Sequence, residues 1–327
     1  MSGPSGLRWL NLGSVGSPII HVSPPLEVLD SVQALLGADV NVEPVGEISP
    51  WSGTWLVRGK GETVFLKRTP RSRREALVVA AMSRIHPRLI PAVITTDVSP
   101  TTPERWFLLA DAGECDRAAL PVSVSVEVAR TVGELQRLCA NEAELSSLLP
   151  RCLAAELLDV ALSCCRWALN GKWPPGEGEF LTAAKSDLIA ASGAARHVGA
   201  ALDRVAPSVV HGDLWAGNVA RRRNRIVFVD WGDAFWGVGS IDIVNLVVGR
   251  PSALDAAATA EVWAAFAQGS GVDADEEFRR ASQVAHTVAS LLIDRAIAES
   301  IGRPPQWLRG VVPGFRGLLE QLREYGQ

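Results

Sequence analysis

The chain has 327 residues, 47% of them apolar and 21% charged, with a formal net charge of −4, an ordinary globular composition. A chain of this size buries roughly 75% of the surface it exposes when unfolded, so it needs no disulfide or metal staple. The slight negative charge argues against nucleic acid as the main partner. No apolar run approaches the ~18 residues of a membrane span, and a cytoplasmic protein is expected.

Residues 1–23 are rich in Gly, Ser and Pro and read as a loose arm; Gly, Asn and Pro interrupt any apolar run of a signal segment. A helix follows over 24–37, ended by Gly37. From 40 to 69 the pattern changes to short β-branched and aromatic runs, "DVNVEPV", "GTWLVRG" and "ETVFLKR", with Gly59-Lys60-Gly61 as a hairpin turn. "RSRREALVVAAMSRI" reads as a helix stopped by Pro87, and "PAVITTD" and "RWFLLAD" as two further strands. Asp111-Ala-Gly-Glu reads as a linker. Beyond it the pattern is mainly helical, over about 121–140, 150–169, 180–205 and from about 240 to the end, with a strand-loop-strand insert at 209–231. Residues 1–113 carry 11 basic and 10 acidic side chains and residues 114–327 carry 21 and 26, which agrees with two lobes of different character.

The five cysteines, Cys115, Cys139, Cys152, Cys164 and Cys165, form no Cys-x-x-Cys pair, and four fall in stretches that read as helix. Buried thiols in a reducing compartment are expected, with the vicinal pair Cys164–Cys165 the one to note.

The sharpest signal is "VVHGDLWAGNVARRRNRIVFVDWGD", residues 209–233. It places Asp213, then Asn218 five residues on, then Asp230 twelve beyond, on a loop and at a strand end where they can converge. Phosphoryl transfer needs such a set: one carboxylate to orient a hydroxyl and accept its proton, an amide and a second carboxylate to hold Mg²⁺ on the phosphates. Taken singly, Asp, Gly and Asn are turn formers; their combined spacing between strands is what points to chemistry. Upstream, Lys67 lies in the third strand and Glu75 eight residues later on a helix. Lys67 is one of only four lysines, with Lys60, Lys172 and Lys185.

"HGDLWAGN" and "VFVDW" resemble the catalytic loop and metal-binding segment of the aminoglycoside phosphotransferase and choline kinase-like family, a branch of the protein kinase-like fold. The resemblance spans about residues 40–250. It implies an α+β, bilobal protein. Residues 1–113 would form a small lobe of antiparallel sheet plus helix that binds the nucleotide. Residues 114–327 would form a larger helical lobe for catalysis and acceptor binding. It implies Asp213 as catalytic base, Asn218 and Asp230 as Mg²⁺ ligands, and His211 as an orienting residue. Lys67 would contact the nucleotide phosphates with Glu75 as its partner, and Asp242 would brace the loop. "EISPWSGTW", with Ser52, would cover the phosphates, although it is not a Gly-x-Gly-x-x-Gly loop. Backbone groups from Leu109 to Asp111 would hold the base of ATP (or GTP). Asp233, Trp215 and Trp236 are candidates for the acceptor site, packing of the loop on the core being the alternative for the tryptophans. Gly239 stands where the family commonly has Pro. The expected activity is transfer of the γ-phosphate to a hydroxyl of an antibiotic (aminoglycoside-like) or amino sugar by a monomer or homodimer. The alternatives are a kinase of choline or homoserine, or a non-catalytic nucleotide-binding module.

Overall fold

The computed structural model describes residues 23–37, 39–46, 48–59, 61–115, 119–222, 225–248 and 254–326. Almost all of the expected N-terminal arm, and Lys60 of the expected hairpin turn, lie outside the described residues.

The N-terminal part runs α1 (Leu26–Leu36), β1 (Asn41–Pro44), β2 (Gly53–Gly59), β3 (Glu62–Pro70), α2 (Glu75–Ile85), β4 (Val93–Thr95) and β5 (Glu104–Ala110). Its five strands form one antiparallel sheet in the order β1-β2-β3-β5-β4. Period-2 alternation decides which side chains go where. Val64, Leu66, Trp106 and Leu108 face α1, joining Val28, Val32, Trp55 and Val57. Phe107 and Leu109 face the other way, toward Val78, Val79 and Met82 of α2. The indoles of Trp55 and Trp106 lie 5.1 Å apart and fill the first of these cores. Through α2, the second core is continuous with that of the rest of the chain.

The helix expected over 71–85 begins only at Glu75. Arg71 and Arg73 are drawn into side-chain bonds elsewhere, Arg71 to Asp97 at 2.7 Å and Arg73 to Gly232 and Asp233. The chain between Pro70 and Glu75 therefore stays in a turn. After β5, the segment read as a linker contains a short strand, β6 (Glu114–Cys115), paired with β9 (Val219–Arg222). Gly113 makes this possible. Its φ is +95°, and a Cβ there would overlap the Arg221 carbonyl.

The remainder is helical around two small sheets. In chain order it has α3 (Val122–Cys139), α4 (Ala143–Leu148), β7 (Arg151–Cys152), α5 (Leu157–Ala168), α6 (Glu177–Ala190) and α7 (Ser192–Leu202). β8 (Ser208–Val210), β9, β10 (Arg225–Phe228) and β11 (Phe235–Gly237) follow. The chain ends with α8 (Ile241–Val248), α9 (Ala256–Ser270), α10 (Glu276–Ser300) and α11 (Val311–Tyr325). The helix expected over 150–169 starts instead as β7, because Arg151 and Cys152 pair in parallel with Trp236 and Gly237. That long-range pairing also places Cys152 in a strand. The helix expected over 180–205 is two, breaking at the small residues 190–194. There the axis can turn so that Leu181, Ala184 and Leu188 form one apolar stripe and Ala195, Val198 and Leu202 another. Asp255 and Asp275 cap α9 and α10, accepting from the amides of Ala258 and Phe278 at 2.8 Å each. Cys139, Cys152, Cys164 and Cys165 are buried thiols, and Cys115 is exposed.

α3 and α9 cross where each carries a glycine. A Cβ on Gly133 would meet the Phe266 carbonyl at 2.8 Å, and one on Gly269 would overlap the Arg130 carbonyl. Gly269→Ala is therefore expected to destabilise the protein by about 1–3 kcal/mol through overpacking, read as a lower midpoint in thermal or urea unfolding. Gly193→Ala, whose Cβ would meet nothing within 4 Å, serves as the control.

Candidate active site

Strand β3 carries Lys67 at its far end, and α2 starts with Glu75. Both side chains are almost completely buried, yet both are charged types. The Lys67 Nζ donates to Glu75 Oε1 and, at 2.6 Å, to Asp230 Oδ1. Burial alone would lower the Lys67 pKa; the Asp230 and Glu75 carboxylates outweigh it and hold the ammonium above its ordinary value. Asp230 is held below the carboxylate range, because Lys67 outweighs the desolvation that would raise it. Glu75 goes the other way, pushed up chiefly by burial, and its Oε2 has no hydrogen-bond partner. Asp230 adopts the left-handed conformation, φ 65° and ψ 63°, uncommon for a residue with a Cβ. This turn ends the extended segment after β10 and directs its carboxylate at Lys67.

Arg73, in the turn before α2, donates to the Gly232 carbonyl and to Asp233 Oδ1. Asp233 is thus tied to a cation of the N-terminal part. Lys67–Asp230 and Arg73–Asp233 form two adjacent ion pairs across the cleft.

The loop after β8 holds Asp213 and Asn218. The Asn218 amide donates to the Asp213 carbonyl at 2.7 Å and to Asp213 Oδ2 at 3.0 Å. Both bonds use its nitrogen, which leaves the side-chain oxygen as the group offered to a cation. The Trp215 side chain also favours the charged form of Asp213. Asp213 itself opens on the cleft. Desolvation between the cleft walls, then the charges of Asp233 and Asp230, push its pKa upward against these donors. Among the described residues no group of three or more His, Cys, Asp or Glu forms a metal cage of its own. Two oxygens, from Asn218 and Asp230, suit Mg²⁺, which keeps most of its shell for water and phosphate oxygens.

The loop is braced from beneath. Asp242, at the start of α8, accepts from the backbone amides of His211 at 2.9 Å and Gly212 at 3.0 Å, and from Gln136 at 2.9 Å. Burial pushes Asp242 up to about 7 against these three donors. The Gly212 carbonyl accepts from Asn245 at 2.9 Å, and Asn245 Oδ1 is bonded in turn by His286 of α10 at 2.8 Å. Burial drives His286 down to about 4, so it is neutral and Nε2 carries the donated proton. His211 is buried, bonds the Val229 carbonyl at 2.8 Å and stacks at 4.6 Å on Trp231. Gly212 has φ +85° and packs directly on the Asp233 carbonyl, leaving no room for a Cβ. Gly239 gives its carbonyl to Gln136 at 3.0 Å, and the Gln136 amide occupies the space a Cβ would need.

Other expected residues fall as follows. Ser52 lies in the β1–β2 loop, where its amide donates to Ser49 Oγ at 2.9 Å. Leu109 sits inside β5, paired on both sides to Phe65 and Val93. Asp111 follows the strand, its carbonyl accepting from Arg222 at 2.8 Å and its carboxylate from Gly113 N–H at 2.8 Å. Trp215 packs half-buried over Gly217. Trp236 is 8% exposed and packs in the core. Sequence reading missed Arg73, Asn245 and His286, since an isolated Arg, Asn or His carries no spacing signal. It also missed Asp294 of α10, an acid with no hydrogen bond among the described residues. Burial and then the Asp233 charge push Asp294 up to about 7.

A model of the phosphotransferase enzyme family matches residues 47–281. The chain belongs to that family. Among solved structures, choline kinase from Cryptosporidium parvum superposes with a TM-score of 0.60 at 10% identity, covering 92% of this chain and 96% of that one. A spectinomycin phosphotransferase solved with ADP and spectinomycin gives 0.53 at 11%, with coverages of 93% and 99%. A microcompartment-associated aminopropanol kinase gives 0.58 at 15%, with 91% and 98%. These likenesses confirm the protein kinase-like fold. A search of curated protein sequences finds no match. No helix among the described residues is long and apolar enough to cross a membrane.

Removing the Asp242 carboxylate would strand three N–H donors in the interior. At about 1–3 kcal/mol for each unsatisfied group, Asp242→Ala in this phosphotransferase is expected to lose at least about 3 kcal/mol, measured by urea unfolding. An unchanged midpoint would mean that the brace contributes nothing.

Proposed function

We propose that this phosphotransferase family member is a small-molecule kinase, moving the γ-phosphate of ATP or GTP onto a hydroxyl group. The observation that carries the reading is the convergence of Lys67, Glu75 and Asp230 into one ion cluster beside Asp213 and Asn218. Residues 1–113 act as the nucleotide lobe and 114–327 as the catalytic and acceptor lobe. Lys67, held by Glu75, neutralises phosphate charge. The backbone between Leu109 and Asp111 meets the base, and the loop with Ser52 lies over the phosphates. Asn218 and Asp230 would hold Mg²⁺, which would supply neutralisation of phosphate charge. Asp213, kept in place by Asn218 and Trp215, orients the acceptor hydroxyl and receives its proton. Its raised pKa favours taking up that proton. Positioning and preset charges supply most of the rate.

For the acceptor we infer a small amine-bearing alcohol, either an aminoglycoside-like antibiotic or amino sugar, or a simpler amino alcohol. Two things support this. The structural neighbours named for their substrates act on spectinomycin, choline and aminopropanol. Asp294 stands as an acid without a cationic partner among the described residues. Asp233, paired with Arg73, is less available than the sequence suggested.

The test is Mg·ATP-dependent phosphorylation, followed by mass spectrometry, across aminoglycosides, spectinomycin, amino sugars and amino alcohols. With the substrate found, Asp213→Ala is expected to lower kcat about 10²–10⁴-fold while nucleotide affinity changes little. Full activity in that variant would refute the assignment.

A further inference from the structure

The β1–β2 loop makes a contact that the proposed chemistry does not use. It is a stiff turn: Ser49 N–H donates to the Ser52 carbonyl at 2.8 Å, and Ser52 N–H to Ser49 Oγ at 2.9 Å. Ile48 anchors it in the N-terminal core, and Gly53 packs on the Trp55 ring, which a Cβ would meet at 2.6 Å. From this rooted turn Trp51 projects away from its own lobe. Its ring meets Trp307 edge-on, with centroids 5.7 Å apart and planes at 80°.

Trp307 belongs to the other lobe. It closes a single 3-10 turn, Pro305–Trp307, between α10 and α11. That turn is itself fixed. Pro305 and Leu308 are buried, Trp307 N–H donates to the Pro304 carbonyl at 3.0 Å, and the Gln306 side chain accepts from the Lys172 amide at 3.2 Å. The same connection carries Gly310, where a Cβ would lie 3.2 Å from Asp294 Oδ2. The Trp51 contact thus joins the phosphate-side loop to the wall that holds the unpaired acid. Lys67–Asp230 and Arg73–Asp233 tie the lobes in the interior of the cleft, and Arg84–Glu144 ties them on the outer side of α2. The two indoles add a tie at its front.

We propose that Trp51 and Trp307 form a clasp across the mouth of the cleft, with Trp307 as the positioning residue that holds the loop of residues 48–53 down. Opening of this one contact admits the acceptor, and its closure shields the transferring phosphate from water. An edge-on aromatic pair shifts a two-state population by roughly two- to ten-fold. That is strong enough to favour closure and weak enough to open on each turnover. The functional part rests on the kinase reading of the cleft. The contact itself does not.

The test is hydrogen exchange on the full-length protein without nucleotide. Trp307→Ala is expected to speed exchange of the amides of residues 48, 49 and 51–53 about two- to ten-fold, though they lie on the opposite lobe, while Trp307→Phe stays near wild type. If Trp307→Ala unfolds the C-terminal part, Trp51→Ala on the half-buried loop reads the contact from the other side, through the amides of residues 306–310. Wild-type exchange in the loop of a folded Trp307→Ala protein would overturn the clasp. So would a Trp307→Phe protein that behaves like the alanine variant, or unchanged 306–310 amides in Trp51→Ala. Mg·ADP titration then tests positioning: both alanine variants should bind it about three- to ten-fold more weakly, and equal affinity would overturn that role. Failure of the wild type to bind Mg·ADP would instead strike the kinase reading, leaving the exchange result to stand by itself.

Discussion

A buried ammonium can stay charged only beside carboxylates, and Lys67 is the group around which this molecule is arranged. Taking a lysine out of water is costly unless the lost hydration is replaced by close, well-aimed partners. Glu75 comes from the first turn of α2 and Asp230 from a segment 163 residues away in sequence. Satisfying one cation therefore fixes the position of a helix, a strand and the loop after β10 at once. The left-handed backbone at Asp230 follows from the same demand, since it turns the carboxylate back toward the strand.

That cluster leaves charges that do not cancel. Two cations, Lys67 and Arg73, face Glu75, Asp230, Asp233 and the nearby Asp213. Burial, and then this excess negative charge, raises Asp213, and Glu75 keeps an unbonded oxygen. Such an arrangement is a poor choice for stability alone, because each uncompensated carboxylate opposes the others. It becomes sensible when a divalent cation and a polyanion are to be received together. The braces beneath the catalytic loop offset the strain. Asp242 on two backbone amides, and Asn245 with neutral His286 on the Gly212 carbonyl, hold the loop without adding charge on the cleft side.

The two lobes share more than a hinge. α2 belongs to the sheet by sequence and to the C-terminal core by packing, so the cleft has a rigid back. Its front depends on two tryptophans from segments distant in sequence. Rigid at the back and lightly joined at the front is the mechanical condition for a cleft that opens without losing the geometry of its charged centre.

The sequence by itself determined the local elements and the chemical set. Alternating runs gave β2, β3 and β5, a glycine marked the end of α1, and the spacing of Asp213, Asn218 and Asp230 pointed to phosphotransferase chemistry, which tolerates few other residue types. The family follows from that segment, with Lys67 and Glu75 in support. Only the tertiary structure decided the pairing partners. That Arg151 and Cys152 form a strand, that Arg73 occupies Asp233, that Trp236 is core and that Trp51 meets Trp307 all arise from contacts between distant segments. Periodicity reports which face of an element is apolar; it holds no record of which distant surface that face, or a lone polar or aromatic side chain, will meet.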